Sequence, residues 1–295
     1  MAPSPESRLR ADSNPETALR IIVAGCRADV LKYRAIMLKS ARPNGIHQTR
    51  VALRRLRAAF GLFRGAVHGP AVRALAAEAR WLARECGPAR DLQVFLTETA
   101  SDVPPLVRRV ASRLAAIHLQ HARAALSGAR FAAFDRALAG FAAGSPTPPD
   151  GANARLDAFG RRVLDARLAK VLRRGRKLDQ LDKEGLHRLR IAIKKLRYAA
   201  TYFGPAFASA TFASMRAKPY IEATARLQGA LGALNDRAVA AQVLADLATA
   251  ARPTEDVAKP LKVLAKQAAA GEKRRSRRLE RAWAAFRKAE RFWRA

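Results

Sequence analysis

Two stretches of the chain carry the same set of cations behind a histidine. In the first, Ile46 to Arg57, these are His47, Arg50, Arg54, Arg55 and Arg57. In the second, Leu186 to Arg197, they are His187, Arg190, Lys194, Lys195 and Arg197, in the same register. Every apolar position of the first copy also meets an apolar position of the second. Guanidinium groups grip two oxygens of an oxyanion at once, and an ammonium group acts as a point charge. A histidine at the head of the array can donate hydrogen bonds and, beside a polyanion, take up a proton. This chemistry holds an anion of repeated charged units. It does not by itself make or break bonds.

A helix accounts for the spacing. Ile46, Leu53, Leu56, Phe60 and Phe63 recur at helical intervals and share one face. At roughly 100° per residue, His47, Arg50, Arg54 and Arg57 fall within a sector of about 80° on the opposite side. His187, Arg190, Lys194 and Arg197 repeat the arrangement. Like charges three and four residues apart destabilise a helix by about 0.2–0.5 kcal/mol per pair. Neither copy contains Asp or Glu to relieve them. A lone basic helix face is ordinarily just solvated, but duplication of the whole array in register points to a polyanion ligand.

The elements that must position these faces are all expected to be helical. The chain has 295 residues, 49% of them hydrophobic and 6% aromatic. It is rich in alanine, leucine and arginine, which are strong helix formers, and lacks clear alternating Val/Ile/Thr runs. With 56 Lys+Arg against 24 Asp+Glu, the formal charge is +32. Such a chain attracts polyanions: nucleic acid, polyphosphate or an anionic membrane. Cys26 and Cys86 form no CxxC pair and read as buried residues, with no disulfide framework or thiolate metal site. The polar, Pro/Ser-rich start is not a secretory signal. No apolar run approaches the roughly 20 residues that span a bilayer. The expected location is cytoplasmic.

Residues 1–15 read as a disordered leader. A first helix is expected from Pro15 to about Ala41, capped by Asn14, then a turn at Pro43-Asn44-Gly45 and the first basic helix, ending near Gly65 to Gly69. A third helix is expected from Pro70 to Cys86. Gly87-Pro88 breaks it, and Ala89-Arg90-Asp91 opens a fourth. After Pro104-Pro105 one long amphipathic stretch runs to about Ala143. Residues 144–154, with three prolines and two glycines, form the clearest linker. The chain thus divides into halves at 16–143 and 155–295. In the second half, helices are expected from about Ala154 to Arg174, through the second basic stretch to Gly204-Pro205, and from Phe207 through Ala230. The C-terminal segment from about Lys259 is basic, with Leu279, Trp283, Phe286 and Trp293 as an apolar seam. It reads as the last helix of a bundle, with a membrane-surface helix as the alternative.

A second, weaker repeat follows each basic helix. Leu82 to Asp91 aligns with Leu227 to Asp236, keeping Leu, Gly, Ala and Asp in order. Both copies read as a helix break followed by an acidic helix start. Asp91 and Asp236 are expected to cap a helix or orient an arginine. No second acid, Ser-His pair or phosphate-binding glycine loop accompanies them to suggest catalysis. Arg80, Arg84, Arg90 and Arg226 are further binding candidates, and Tyr198 and Asn235 are supporting ones. The residues three and four positions after His47 and His187 are Arg50, Val51, Arg190 and Ile191, so the histidines are not spaced as metal ligands. A metal bridging the bound phosphates stays open. His118 and His121 read as a solvated helix face, with a shared metal as the alternative. No cofactor is expected.

The paired His-x-x-Arg-x-x-x-[Arg/Lys]-[Arg/Lys]-Leu-Arg helices, each followed by a Leu…Gly…[Arg/Asn]-Asp element, resemble the CHAD family, the conserved histidine α-helical domain. The resemblance spans roughly residues 16–290. It implies two four-helix bundles related by a pseudo-two-fold axis. It also implies a basic surface between them that binds inorganic polyphosphate, often at polyphosphate granules. The sequence departs from the most regular pattern at Arg90 against Asn235, and at Lys194 and Lys195 against arginines, so the halves are expected to bind unequally. The alternatives are a nucleic-acid-binding protein, for which the basic helices offer Gln48 alone as an amide base reader, and an accessory subunit of polyphosphate metabolism.

Overall fold

The computed structural model describes residues 9–40, 43–98, 104–145, 155–207, 213–251, 256–269 and 272–294. These residues are helical and contain no strand. The helices are α1 (Pro15–Lys39), α2 (Pro43–Leu62), α3 (Pro70–Glu85), α4 (Gly87–Glu98), α5 (Pro105–Ser127), α6 (Ala129–Ala143), α7 (Leu156–Arg174), α8 (Lys183–Phe203), α9 (Ala213–Ala250), α10 (Ala258–Ala269) and α11 (Glu272–Lys288). Short 3₁₀ turns extend α2 and α8.

The helix starts follow local chemistry. The Asn14 side chain accepts a hydrogen bond from the Glu16 amide at 2.7 Å, with Pro15 in the first turn of α1. This satisfies one of the free amides of the helix end. Asp182 caps α8 in the same way, accepting from the Gly185 amide at 2.7 Å. Pro70 opens α3.

Several boundaries differ from the sequence reading. Pro43, Asn44 and Gly45 form the first turn of α2, not a separate turn. Gly45 lies against Met37 of α1, where an added Cβ would stand 3.1 Å from the backbone. The stretch after Pro105 is two helices, because the chain turns extended at Gly128. The helix expected to stop near Ala230 continues as α9 to Ala250, through Gly229 and Gly232. In the first half, Pro88 cannot donate to the preceding turn and separates α3 from α4. No proline stands at the aligned place in α9. Interior glycines cost about 1 kcal/mol each, and burial of Leu227, Leu231, Val243, Leu244 and Leu247 along the same helix offsets that. Of the leader, residues 1–8 lie outside the described residues, whereas Leu9 is buried in the main core. The carbonyls of Ser13 and Ala11 accept hydrogen bonds from the Leu156 and Asp157 amides. Most of the linker, residues 146–154, also lies outside the described residues.

The main core is continuous from Leu9 to Trp293 and takes side chains from both halves. Its central contact is aromatic. Phe63, just past α2, lies 5.7 Å from Phe159 of α7 and 5.1 Å from Phe203 of α8, centroid to centroid. The predicted face of α2 (Ile46, Leu53, Leu56, Phe60 and Phe63) is buried throughout. So is the matching face of α8, with Leu189, Ile193, Leu196 and Phe203. A second apolar cluster joins the halves elsewhere: Leu92, Phe95 and Val110 of α4 and α5 with Val243, Leu247 and Leu261 of α9 and α10.

The C-terminal segment belongs to the bundle. Leu279, Phe286 and Trp293 are buried, and the Trp283 ring packs on Gly175, where a side chain would collide. The Trp293 indole donates to Asp165 of α7 at 2.9 Å, and Arg294 adds a second bond to the same oxygen at 3.0 Å. No helix among the described residues is long and apolar enough to cross a membrane.

Phe63 is fully buried between two aromatic neighbours from the other half. Phe63→Ala is expected to cost about 3–5 kcal/mol, measured by urea unfolding followed by circular dichroism. A loss below about 1 kcal/mol would show that this contact does not hold the halves together.

Candidate polyanion site

The rotation of α2 and α8 about their apolar faces decides where each cation goes. Arg50, Arg54 and Arg57 turn toward α3, α4 and α8. Arg54 Nε donates to the Tyr198 hydroxyl of α8 at 3.1 Å. The Tyr198 ring in turn stacks on Tyr202, with centroids 6.1 Å apart, and the Tyr202 hydroxyl donates to the Arg55 carbonyl at 2.8 Å. Two tyrosines of the second basic helix therefore bind the first. Tyr198 is buried and fixes Arg54.

Arg50 occupies the corner between α3 and α4. Its guanidinium donates to the Ala83 carbonyl at 3.2 Å and stands 3.6 Å from Asp91. Gly87 makes this possible, because an added Cβ would sit 3.0 Å from Arg50 Nη1. The glycine of the weak repeat element thus serves the close approach of an arginine, a role its sequence position alone did not reveal. Asp91 stands beside Arg50 rather than at a helix cap. It lies in the second turn of α4, past the capping position. Burial raises its pKa above the ordinary carboxylate value, and the nearby Arg50 and Arg90 oppose that rise without overcoming it.

The remaining cations crowd one another. Burial is the main cause that lowers the Lys194 pKa to about 8, followed by Arg190 of its own helix and Arg54 and Arg57 of α2. Arg57 is also pulled below its usual range, by burial and then by Arg80, Arg50 and Arg84. His47 is pushed toward its neutral form by burial, then by Arg90, Arg54 and Arg50. These couplings trace one continuous cluster of α2, α3, α4 and α8. It contains His47, Arg50, Arg54, Arg57, Arg80, Arg84, Arg90, Arg190 and Lys194. Within it, Arg57, Arg80, Arg84, Arg190 and Lys194 have no acidic partner among the described residues. Arg190 Nε and Arg197 Nε are buried without a hydrogen-bond acceptor. A buried donor left unmade costs about 1–3 kcal/mol.

Two candidates face other helices. Arg55, one residue round the helix from Arg54, leaves the cluster and forms an ion pair with Asp29 of α1 at 2.8 Å. Lys195, its counterpart, faces Arg167, Lys170 and Arg174 of α7. Arg226 is exposed and pairs at 3.8 Å with Glu222 of its own helix. His187 is exposed near the start of α8. The side chains of Asn235 and Asp236 lie outside the described residues, and the helix break expected before them is absent. His118 and His121 on α5 meet edge to face at 6.0 Å, away from the cluster. A cavity of ≈360 Å³ near the α1–α2 corner, lined by Ile36, Lys39, Ser40 and Asn44, is also separate from it.

Residues 21–245 match the family model of the CHAD domain. The chain belongs to the CHAD family. The crystal structure of the CHAD domain from the plant Ricinus communis superposes with a TM-score of 0.80 at 25% identity, covering 96% of this chain and 94% of that one. PptA from Streptomyces chartreusis shares the fold at a TM-score of 0.58 and 14% identity, covering 96% and 99%. No curated protein matches the chain. The two basic helices and the first weak repeat element all fall inside the matched residues.

The crowding has a consequence for stability in this CHAD protein. The folded pKa of Lys194 lies below its unfolded value of 10.5. The unfolded chain therefore binds more protons between about pH 8 and 10.5, and Lys194 contributes destabilisation at pH 7 that fades as pH rises through that window. Lys194→Met is expected to raise the melting temperature at pH 7 and low ionic strength, and to lose that advantage by about pH 10. Thermal unfolding across this range checks it. An equal gain at both pH values would show that charge is not the cause.

Proposed function

We propose that this CHAD protein is a non-catalytic binder of inorganic polyphosphate, which lies along the cationic cluster where α2 meets α8. The observation that carries this reading is the convergence of both basic repeats into one cluster in which most cations lack acidic partners. A structural charge network places Asp or Glu between its arginines. Here Asp91 and the Tyr198 hydroxyl orient single arginines and leave the rest of the positive charge in place.

Polyphosphate has one charged group per unit and no base to read. One helix turn rises about 5.4 Å, so Arg50, Arg54 and Arg57 meet successive parts of one strand. Arg190, Arg197 and Lys194 meet it from the second helix. The Nε atoms of Arg190 and Arg197 have no acceptor among the described residues, so no hydrogen bond through Nε holds these side chains. The family resemblance supports the same ligand and supports treating α1–α6 and α7–α11 as two copies related by an approximate two-fold axis. It is also the ground for proposing residence at polyphosphate granules in the cytoplasm. Nucleic acid is the second reading. The charge favours it, but the site offers guanidinium groups and no recurring aromatic platform on which bases would stack.

Long-chain polyphosphate is expected to displace bound DNA at equal phosphate concentration far better than DNA displaces polyphosphate, measured by fluorescence anisotropy. The Arg57→Glu/Lys194→Glu variant is expected to lose at least about tenfold in affinity and to show a shallower dependence on salt, since fewer counterions are released. Unchanged affinity in that variant, or DNA prevailing in the competition, would overturn the proposal.

Binding is also expected to take up protons. A bound polyanion favours the charged form of Lys194, whose pKa is about 8 in the empty site. At pH 8.5 titration calorimetry in buffers of different ionisation enthalpy should register proton uptake, and Lys194→Arg should remove it. No difference among buffers would exclude Lys194 from the contact surface.

A further inference from the structure

The face of α8 turned away from the cluster carries a second set of cations. Arg167, Lys170 and Arg174 of α7 and Arg188 and Lys195 of α8, with Ile191 and Ala192 as its apolar wall, line a cavity of ≈130 Å³. Two of the cations are held in place by backbone. Arg174 donates to the Arg188 carbonyl at 2.6 Å, and Arg167 reaches the Gly61 carbonyl at 3.4 Å. Arg188 pairs with Glu184 on the exposed side. Arg167, Lys170, Arg174 and Lys195 have no acidic partner among the described residues. Burial and the three α7 cations lower the pKa of Lys195, and burial and Arg64 lower that of Arg167.

The first half shows what a purely structural version of this face looks like. Arg55 occupies the register position of Lys195. It faces α1, the helix that precedes α2 as α7 precedes α8, and there it meets Asp29 at 2.8 Å. The same position is thus neutralised in one copy and ringed by further cations in the other. Filling a cavity with like charges is costly unless an anion occupies it.

We propose that the cavity between α7 and α8 is a second anion site, distinct from the α2–α8 cluster, that takes a compact diphosphate group, either free or at the end of a longer chain. Its lining sets the class. Five cations suit the oxygens of one or two phosphate groups, and Ile191 and Ala192 offer no ring on which a nucleoside base would stack. The site stands whether or not the cluster binds polyphosphate.

The test uses the full chain and pyrophosphate as the probe, titrated by calorimetry. Two variants separate the sites: Lys170→Ala/Lys195→Ala for the cavity and Arg57→Ala/Lys194→Ala for the cluster. Neither Lys170 nor Lys195 makes a hydrogen bond within the described residues, so the cavity variant should fold, with circular dichroism as the check. Lys170→Gln alone is the milder substitute. Pyrophosphate affinity is expected to fall at least tenfold in the cavity variant (severalfold for Lys170→Gln) and to stay within twofold in the cluster variant. On the cluster variant, long-chain polyphosphate that binds as well per chain as pyrophosphate does would show that chain ends are accepted. Long-chain polyphosphate that fails there would mean the site takes the free ion. Pyrophosphate binding that survives the cavity change, or disappears with the cluster change, overturns the proposal.

Discussion

The structure depends on a shared apolar core that forces two strongly basic helices into contact. Phe63 seats between Phe159 and Phe203, and the apolar faces of α2 and α8 are buried in the same core. Beside that core, Arg54 and Arg57 of α2 come close to Lys194 of α8. The repulsion is the cost of the arrangement, and burial of aromatic and aliphatic surface at about 25 cal/mol per Å² is what offsets it. The binding proposed above would then need little reorganisation at two of the arginines. The cations are already gathered, and Arg50 and Arg54 are fixed by Ala83, Asp91 and Tyr198, so their side-chain ordering precedes any ligand.

The net charge of +32 overstates the charge left unpaired, because many arginines are structural. Arg27 forms two bonds to Asp135, at 2.7 and 2.9 Å, and ties α1 to α6. Arg34 and Arg123 donate to the Leu126 and Met37 carbonyls near helix ends. Arg130 lies over the Trp81 ring at 4.0 Å and also binds Glu78. Arg294 closes on Asp165. These acids stand away from the cluster, at helix junctions where an unpaired arginine would loosen the packing. Within the α2–α8 cluster, by contrast, Asp91 stands beside Arg50, while Arg57, Arg80, Arg84, Arg190 and Lys194 have no acidic partner among the described residues.

Much of this was legible from residue spacing. The apolar stripe of α2, its counterpart in α8, the Asn14-Pro15 start and the cationic sector all follow from a period of 3.6, which a helix imposes wherever it lies. Placement of the neighbouring positions did not follow. Arg55 and Lys195 sit next to cluster residues in sequence, and a rotation of about 100° sends them to α1 and α7. Only the position of those helices decides what they meet. The role of Gly87 was hidden for the same reason, since its lack of a side chain matters only because Arg50 comes from another helix. The uninterrupted α9 is a case of packing over local propensity. Gly229 and Gly232 resemble the glycine of the first copy, but Pro88 makes that break and has no equivalent in the second.

The difference between the copies has a physical logic at the centre of the cluster. Position 54 is arginine and its counterpart, position 194, is lysine. Arginine keeps its charge at any pH a protein meets, whereas a crowded lysine can release a proton. Arg54 has a phenol to bind and a fixed direction. Among the described residues Lys194 has cations around it and no acidic partner, and its pKa of about 8 leaves it able to lose charge in mildly alkaline solution. An arginine there would add a permanent charge where no acceptor waits in the unliganded fold. Lysine at 194 therefore limits the repulsion that the shared core must overcome, and under the proposed function it would still supply a full charge to a bound anion.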